Sequence, residues 1–398
     1  MAEILLLKDS YTKTGTELKE LEEALREMDS MTEFEPQSTL NITLLSLLKG
    51  TALEDGKVQF RQFSPEKGEL PKISLPLEKG EYKKFLEPLN RELRENQLML
   101  MVNNKPYYTS GSAISSMGLR AGISGNNLGI PSHNRNAYIA ELFQVDENDV
   151  QMVVRKAGNI KKVFAVHSER YTRIPQVILT DIIGQIRHGL GIPVCHEWHI
   201  NHDRSWAHVE FPEKAEDISK TYGLPDIIIP GLRIGTSDLA KSSVFAEGTW
   251  RFNAGVSVSN RYSHKHDGEI DSETILKGID NSIFIHYTKV PEALCALMEI
   301  EVTDIPEVVE SVFKQIGLYD KKLEIGKKRL TELQNAFCNQ FNPGLQYTAY
   351  DIAKHMLALP KCISGAPGTM VKKLEQNAVR AVFADYKTDA EGTLALAV

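Results

Sequence analysis

The chain has 398 residues, of which 42% are hydrophobic, 25% charged and 8% aromatic. That balance excludes a collagen-like, mucin-like or wholly disordered chain and supplies enough apolar surface for a sizeable core without disulfide staples. Forty-six basic residues against 53 acidic ones leave a net charge of −7, which excludes a polybasic nucleic-acid coat but not a local cationic groove.

The opening stretch, Met1-Ala2-Glu3-Ile4-Leu5-Leu6-Leu7-Lys8-Asp9, has a short apolar run preceded by an acid. A secretory signal needs a basic start and a longer apolar stretch. No apolar run reaches the roughly 18 residues of a membrane span. Cys195, Cys295, Cys338 and Cys362 are scattered, without a C-x-x-C pair, and read as small buried hydrophobes. The expectation is a cytoplasmic chain that does not enter a membrane.

In chain order, Thr14-Gly15-Thr16-Glu17 fits a capping box, followed by Leu18, Leu21, Leu25 and Met28 at helical spacing. A second apolar helix is expected from about Ser38 to Lys49, ended by Gly50. Val58 to Phe63 alternates as a strand. Residues 64–80 hold Pro65, Pro71, Pro76, Gly68 and Gly80 and read as a loop or linker. Glu81 to Asn96 reads as a charged, exposed helix, and Leu98 to Val102 as a buried strand. Residues 103–136 are rich in glycine, with short helices expected around 112–117 and from Ser132 to Phe143.

Val150–Lys156 and Ile160–His167 flank Ala157-Gly158-Asn159, a hairpin signal. Ile174 to His188 has helical periodicity. Pro193–His202 and Ser205–Phe211 form a second hairpin. Ile227–Ile234, Ser242–Glu247 and Thr249–Val258 are further strands. Helices are expected over 272–285, 305–316, 320–340, 348–358 and 367–384. Strands bracketed by helices without βαβ alternation predict an α+β fold. It would have a central mixed or antiparallel sheet, helices packed on it, and helical N- and C-terminal parts. The expected regions are 1–102, a glycine-rich loop and helix segment 103–145, an α+β core 146–290, and a helical region 291–398.

Six of the eleven histidines lie between 167 and 208: His167, His188, His196, His199, His202 and His208. On a strand, His196, Trp198, Ile200 and His202 would share one face and Glu197 and His199 the other. A two-histidine metal site completed by Asp203 or His266 would imply a metal-dependent nuclease or hydrolase, though no H-E-x-x-H spacing occurs. The glycines at 118–129 match neither a phosphate loop nor a dinucleotide fingerprint. Ser237, Ser242 and Ser243 lie outside any G-x-S-x-G elbow. Lys321, Lys322, Lys327, Lys328 and Arg329 read as a solvated helical face. Arg155, Lys156, Lys161 and Lys162 sit at the tip of the first hairpin, close to Arg170 and Arg173, with Tyr171 interleaved. That pattern suits a nucleic-acid backbone, with an aromatic ring stacking on a base.

Three blocks carry a resemblance. Ser168-Glu169-Arg170-Tyr171-Thr172-Arg173-Ile174-Pro175, Ile234-Gly235-Thr236-Ser237-Asp238-Leu239-Ala240-Lys241-Ser242-Ser243, and His266-Asp267-Gly268 with Ile275-Leu276-Lys277-Gly278-Ile279 resemble the family known as domain of unknown function 932. It is found in prophages, plasmids and integrative elements. Arg251-Phe252-Asn253-Ala254-Gly255 and Asp238-Leu239 depart from its pattern. The resemblance implies a mobile-element setting. The leading expectation is therefore an oligomeric protein that binds single-stranded DNA, of annealing or recombination type, with no dedicated cofactor. The alternatives are a self-assembling virion or shell component, and the metal-dependent nuclease.

Overall fold

A computed structural model describes residues 5–48, 57–76, 83–123, 130–143, 149–252, 257–266, 272–320, 325–359, 374 and 377–387. Strand β1 (Thr12–Gly15) leads into helix α1 (Leu18–Met31), then β2 (Thr32–Ser38), β3 (Ile42–Leu47), β4 (Lys57–Ser64) and β5 (Gly68–Pro76). Helix α2 (Lys83–Asn96), the strands β6 (Leu98–Val102) and β7 (Lys105–Thr109), and helices α3 (Gly111–Arg120) and α4 (His133–Phe143) follow. The hairpin β8 (Asp149–Ala157) and β9 (Ile160–Ser168) precedes α5 (Ile178–Leu190). Next come β10 (Val194–Asn201), β11 (Ser205–Glu210), the short α6 (Ala215–Thr221), β12 (Ile229–Thr236), β13 (Val244–Arg251) and β14 (Ser257–His264). The rest is largely helical: α7 (Ser272–Met298), α8 (Ile305–Gln315), α9 (Lys327–Cys338) and α10 (Ala349–Ala358), with β15 (Glu301–Val302) and β16 (Tyr347–Thr348) as a two-stranded ribbon.

The strands form two large sheets. One has eight strands in the order β2-β8-β9-β7-β6-β3-β4-β5, antiparallel except for the parallel β7–β9 pair. The other has six antiparallel strands, β1-β10-β11-β12-β13-β14. The α+β expectation holds at this level, with two sheets where one central sheet was expected. The first 102 residues are not mainly helical: they hold α1, α2 and six strands. They also do not stand apart from the core, because β1 pairs with β10 and β2 with β8.

Both faces of the eight-stranded sheet are buried. Leu44, Leu100, Met152 and Val163 pack against Ile114 and Met117 of α3 and Ile139 and Phe143 of α4. The other face, with Leu45, Phe60, Met99 and Phe164, joins Leu89 and Leu93 of α2 and Leu21, Leu25 and Met28 of α1 in the main core. Burial on both sides explains why Ile42–Leu47 reads as continuously apolar and resembles a helix in sequence. It is a central strand after a single 3-10 turn at Thr39–Asn41, which corrects the expected helix at 38–49. The proline-rich stretch after residue 64 also becomes a strand, and Pro71 and Pro76 are accommodated because β5 lies at the sheet edge. Asn103 and Asn104 both have positive φ, 48° and 62°, and form the two-residue turn between β6 and β7.

The six-stranded sheet buries one face. Trp198, Ile200, Ala207, Val209, Leu232, Ile234, Val244, Ala246 and Trp250 are all at most 1% exposed. They belong to one core with Leu179, Ile182 and Ile186 of α5 and Ile279, Ile283 and Val290 of α7. The expected strands over 242–258 merge into β13, and β14 was not foreseen. Helix α7 runs on to Met298 through Pro291. Half of the helix expected at 367–384 lies outside the described residues, and the described half holds a 3-10 helix at Val379–Phe383. Among the described residues, no helix is long and apolar enough to cross a membrane.

Thr14 lies in β1 rather than capping α1; Glu17 holds the N-cap position without a side-chain hydrogen bond. The local constraint is Trp198, whose Nε1 donates to the Glu17 carbonyl at 3.0 Å. A Cβ added at Gly15 would meet the Trp198 ring at 2.5 Å, and that ring is 1% exposed and has no room to retreat. Gly15→Ala is expected to destabilise the fold by about 1–3 kcal/mol through overpacking. A urea unfolding curve checks this, with the midpoint shifted down at unchanged slope.

Candidate functional site

The structure does not gather the expected cations into a groove. Arg155 and Lys162 are cross-strand partners on the inward side of the β8–β9 hairpin, each 1% exposed. Lys162 Nζ donates to the Leu7 carbonyl at 2.8 Å, Asp9 Oδ1 at 2.7 Å and the Glu92 carboxylate. Lys156 and Lys161 form the next pair, and both are neutralised by strand β2: Lys156 by Glu33, and Lys161 by Glu35 at 2.6 Å. Arg173 Nη2 donates to the Asp29 carbonyl at 2.9 Å and lies over the Phe34 ring. Tyr171 is packed inside a ring stack. Only Arg170 among the seven expected contacts is exposed without a described partner. The correction has a simple cause: strand alternation sends neighbouring cations to opposite faces, and β2 supplies carboxylates to the exposed pair.

Residues from each of the three sequence blocks meet at one place, with Asp267 and Gly268 lying outside the described residues. Tyr171 stacks between His167, 3.9 Å between centroids, and His266, 5.2 Å, with Phe34 at 6.1 Å. Its hydroxyl donates to the Ser237 carbonyl at 3.1 Å. His167 Nε2 donates to the Asp238 carbonyl at 3.1 Å, and Gln176 Nε2 donates to Asp238 Oδ2 at 2.7 Å. Ser205 Oγ closes the network on Gln176 Oε1. Asp238 is 3% exposed, and burial raises its pKa against the opposing pull of Gln176 and Arg155. Arg155, its charge partner, is brought down to about 10 by burial. Asp238 Oδ1 and Arg155 Nε and Nη1 have no hydrogen-bond partner among the described residues. This is a buried polar seam where the β8–β9 hairpin meets the loop after β12.

The histidine cluster is dispersed. A bulge between Cys195 and Glu197 takes His196 out of the strand alternation, so His196 Nε2 meets Glu210 Oε2 at 2.7 Å on the outer face. Arg251 grips the same carboxylate at 2.6 and 2.8 Å. Burial opposes ionisation of Glu210, yet Arg251 and His196 hold it below its ordinary value. Trp198 and Ile200 face the core, and His202 lies in the turn beyond. Among the described residues, no three His, Cys, Asp or Glu side chains are disposed to hold a metal ion.

Sequence reasoning missed the outer face of the six-stranded sheet. Register sets His199, Trp206, Gly235, Phe245 and Ser263 in one row across β10 to β14. His199 stacks on Trp206 at 5.9 Å and 15°. Phe245 leans across Gly235, where a Cβ would lie 2.5 Å from its ring. The Arg261 guanidinium sits 4.1 Å above the Phe245 ring centre. The next row holds Glu197, His208, Arg233, Glu247 and Arg261, with Arg233 and Arg261 exposed. Just beyond the first row, the connecting turns carry the exposed cations Arg204, Lys241 and Lys265. The signal was present in the alternation: Ala207 and Val209 point inward, so Trp206 and His208 had to point out.

Burial places His167 at about 4, far below its ordinary 6.5. The unfolded chain therefore takes up this proton first. His167 contributes full stability above pH 6.5, and loses it as the pH falls towards 4, by up to about 3 kcal/mol. His167→Gln is expected to flatten the fall in unfolding free energy between pH 7 and 4.5, measured by urea titration at each pH. No family model matches the chain, and neither a curated protein nor a solved structure matches it.

Proposed function

We propose that the chain binds single-stranded DNA on the open face of the six-stranded sheet, in the service of annealing or recombination on a mobile element. One observation carries this reading: the aromatic row of Trp206 and Phe245, flanked by Arg261 and bordered by Arg204, Lys241 and Lys265. A sheet presents its outward side chains at regular spacing, so aromatic rings on it form a platform for unstacked bases. Every base has a π face, and such a platform tolerates any sequence. The exposed cations at the strand ends suit phosphates, whose counterions they would displace.

The chemistry asks for no cofactor. Annealing requires that phosphate repulsion be screened while base edges stay free to pair, and stacking from one side leaves those edges free. A single row spans only a few nucleotides, so several copies along one strand follow from this reading. The resemblance to a family of mobile elements points the same way.

Fluorescence anisotropy of labelled oligo(dT) across a salt series tests the proposal. Trp206→Ala and Phe245→Ala are each expected to weaken binding by about tenfold or more, in line with 1–3 kcal/mol per stacked base. Arg204→Ala, Lys241→Ala and Lys265→Ala are each expected to lower the salt slope by roughly one contact's worth. Lys156→Ala and Lys161→Ala, which remove cations already paired, are expected to leave affinity unchanged. Absence of binding at low salt, or undiminished binding by both aromatic variants, defeats the proposal.

A further inference from the structure

We propose that Ser112 and His202 form a nucleophile and general-base pair that hydrolyses carboxylic esters through an acyl-serine intermediate. The structure brings together one residue from the glycine-rich segment and one from the histidine cluster. Ser112 is the second residue of α3, and its Oγ lies 3.4 Å from His202 Nε2. Such pairs are often slightly long before substrate binds.

Several features set this serine apart. Ser115 and Ser116, on the same helix, turn back onto the carbonyls of Gly111 and Ala113 at 3.0 and 2.8 Å, the usual habit of helical serines. Ser112 instead reaches across to the imidazole. The start of its helix is pinned: Ser110 Oγ accepts from the Ala113 amide at 3.0 Å, and the Gly111 amide donates to Asp9 Oδ2 at 2.9 Å. The turn bearing His202 is fixed by Asn201 Oδ1, which accepts from the amides of Asp203 and Arg204 at 3.0 and 2.7 Å. Ser46 and His133 also meet, but Ser46 is fully buried and its hydroxyl also accepts from Asn136. Ser112 is 9% exposed and His202 is half-buried, at the rim of the polar seam.

The surroundings suit the chemistry. Burial lowers the pKa of His202, which favours the neutral imidazole that accepts a proton; Asp203 and Asp9 favour the imidazolium once formed, and Arg155 and Lys162 oppose it. The Phe164 ring ties the site to the interior: Arg155 lies 4.2 Å, Lys162 5.1 Å and His202 6.5 Å from its centre. Arg155 is 1% exposed, with Nε and Nη1 unpartnered among the described residues. It is a buried positive charge whose field reaches His202, and the N-terminus of α3, which carries Ser112, adds a field of the same sign.

The steps balance. The Ser112 proton passes to His202 Nε2 as Oγ bonds to the ester carbonyl carbon. The carbon–oxygen bond to the alcohol breaks, and that oxygen takes the proton from His202. Water then attacks the acyl-serine, giving a proton to His202 that returns to Ser112 Oγ, and the carboxylic acid leaves.

The test is treatment of the full chain with a fluorophosphonate probe, followed by proteolysis and mass spectrometry. A single adduct on Ser112 is expected. His202→Gln is expected to slow labelling at least about 100-fold, in line with loss of a general base, and Ser112→Ala to abolish both the adduct and the initial burst of p-nitrophenolate from p-nitrophenyl acetate. A wild-type chain that gains no adduct at Ser112, or one labelled at the same rate after His202→Gln, overturns the proposal. Because the wild-type chain is the primary sample, a misfolded variant does not blur the outcome.

Discussion

The fold is organised around two positive charges that cannot reach water. Arg155 and Lys162 face each other across the β8–β9 hairpin on its core side. A buried ammonium is tolerated only when its hydrogen bonds are met, and losing one partner of such a pair costs on the order of 3–5 kcal/mol. Lys162 therefore draws Asp9, Glu92 and the Leu7 carbonyl around itself. In doing so it ties three distant stretches, the segment before β1, helix α2 and strand β9, to one point. Arg155 is met differently, by the Phe164 ring face and by the nearby charge of Asp238, and two of its nitrogens have no partner among the described residues. The polar seam exists because these two cations had to be accommodated between apolar layers.

Much of the architecture was legible in the sequence. Both hairpins, 149–168 and 194–210, and the helices from 272 to 358 follow from alternation, turn residues and helical periodicity. What failed did so for physical reasons. Ile42–Leu47 is buried on both faces, which erases the alternation that marks a strand. The strand with Pro71 looks like a linker because proline survives only at an edge, and edge position is a tertiary fact. At the cationic hairpin, proximity in sequence is not proximity in space: Glu33 and Glu35, which neutralise Lys156 and Lys161, come from a strand more than 100 residues earlier. Trp206 and Phe245 were passed over because each is unremarkable alone. Only the register of β11, β12 and β13 aligns them.

The two surfaces of the six-stranded sheet divide the labour. Its inner side is apolar and fixes the position of α5 and α7. Its outer side has aromatic rings and arginines with no helix laid over them among the described residues, and it is there that the DNA-binding reading rests. Tyr171, Asp238 and His266, from three separate stretches of sequence, meet at the joint between the sheets. The same joint places Ser112 against His202, so that the proposed reactive centre and the proposed binding face share one end of the sheet without sharing residues.

The pairing of β1 with β10 has a consequence for how the chain acquires its shape. Glu17 accepts from Trp198 across 181 residues of sequence. On a ribosome, residues 12–15 therefore emerge long before the strand that will receive them has been made. Until then Lys13 and its neighbours have no ladder to join, and helix α1 lacks the Trp198 ring that marks its beginning. Pairings of such span form slowly and late, which makes closure of this edge a late step of maturation, completed only after strand β10 has been synthesised.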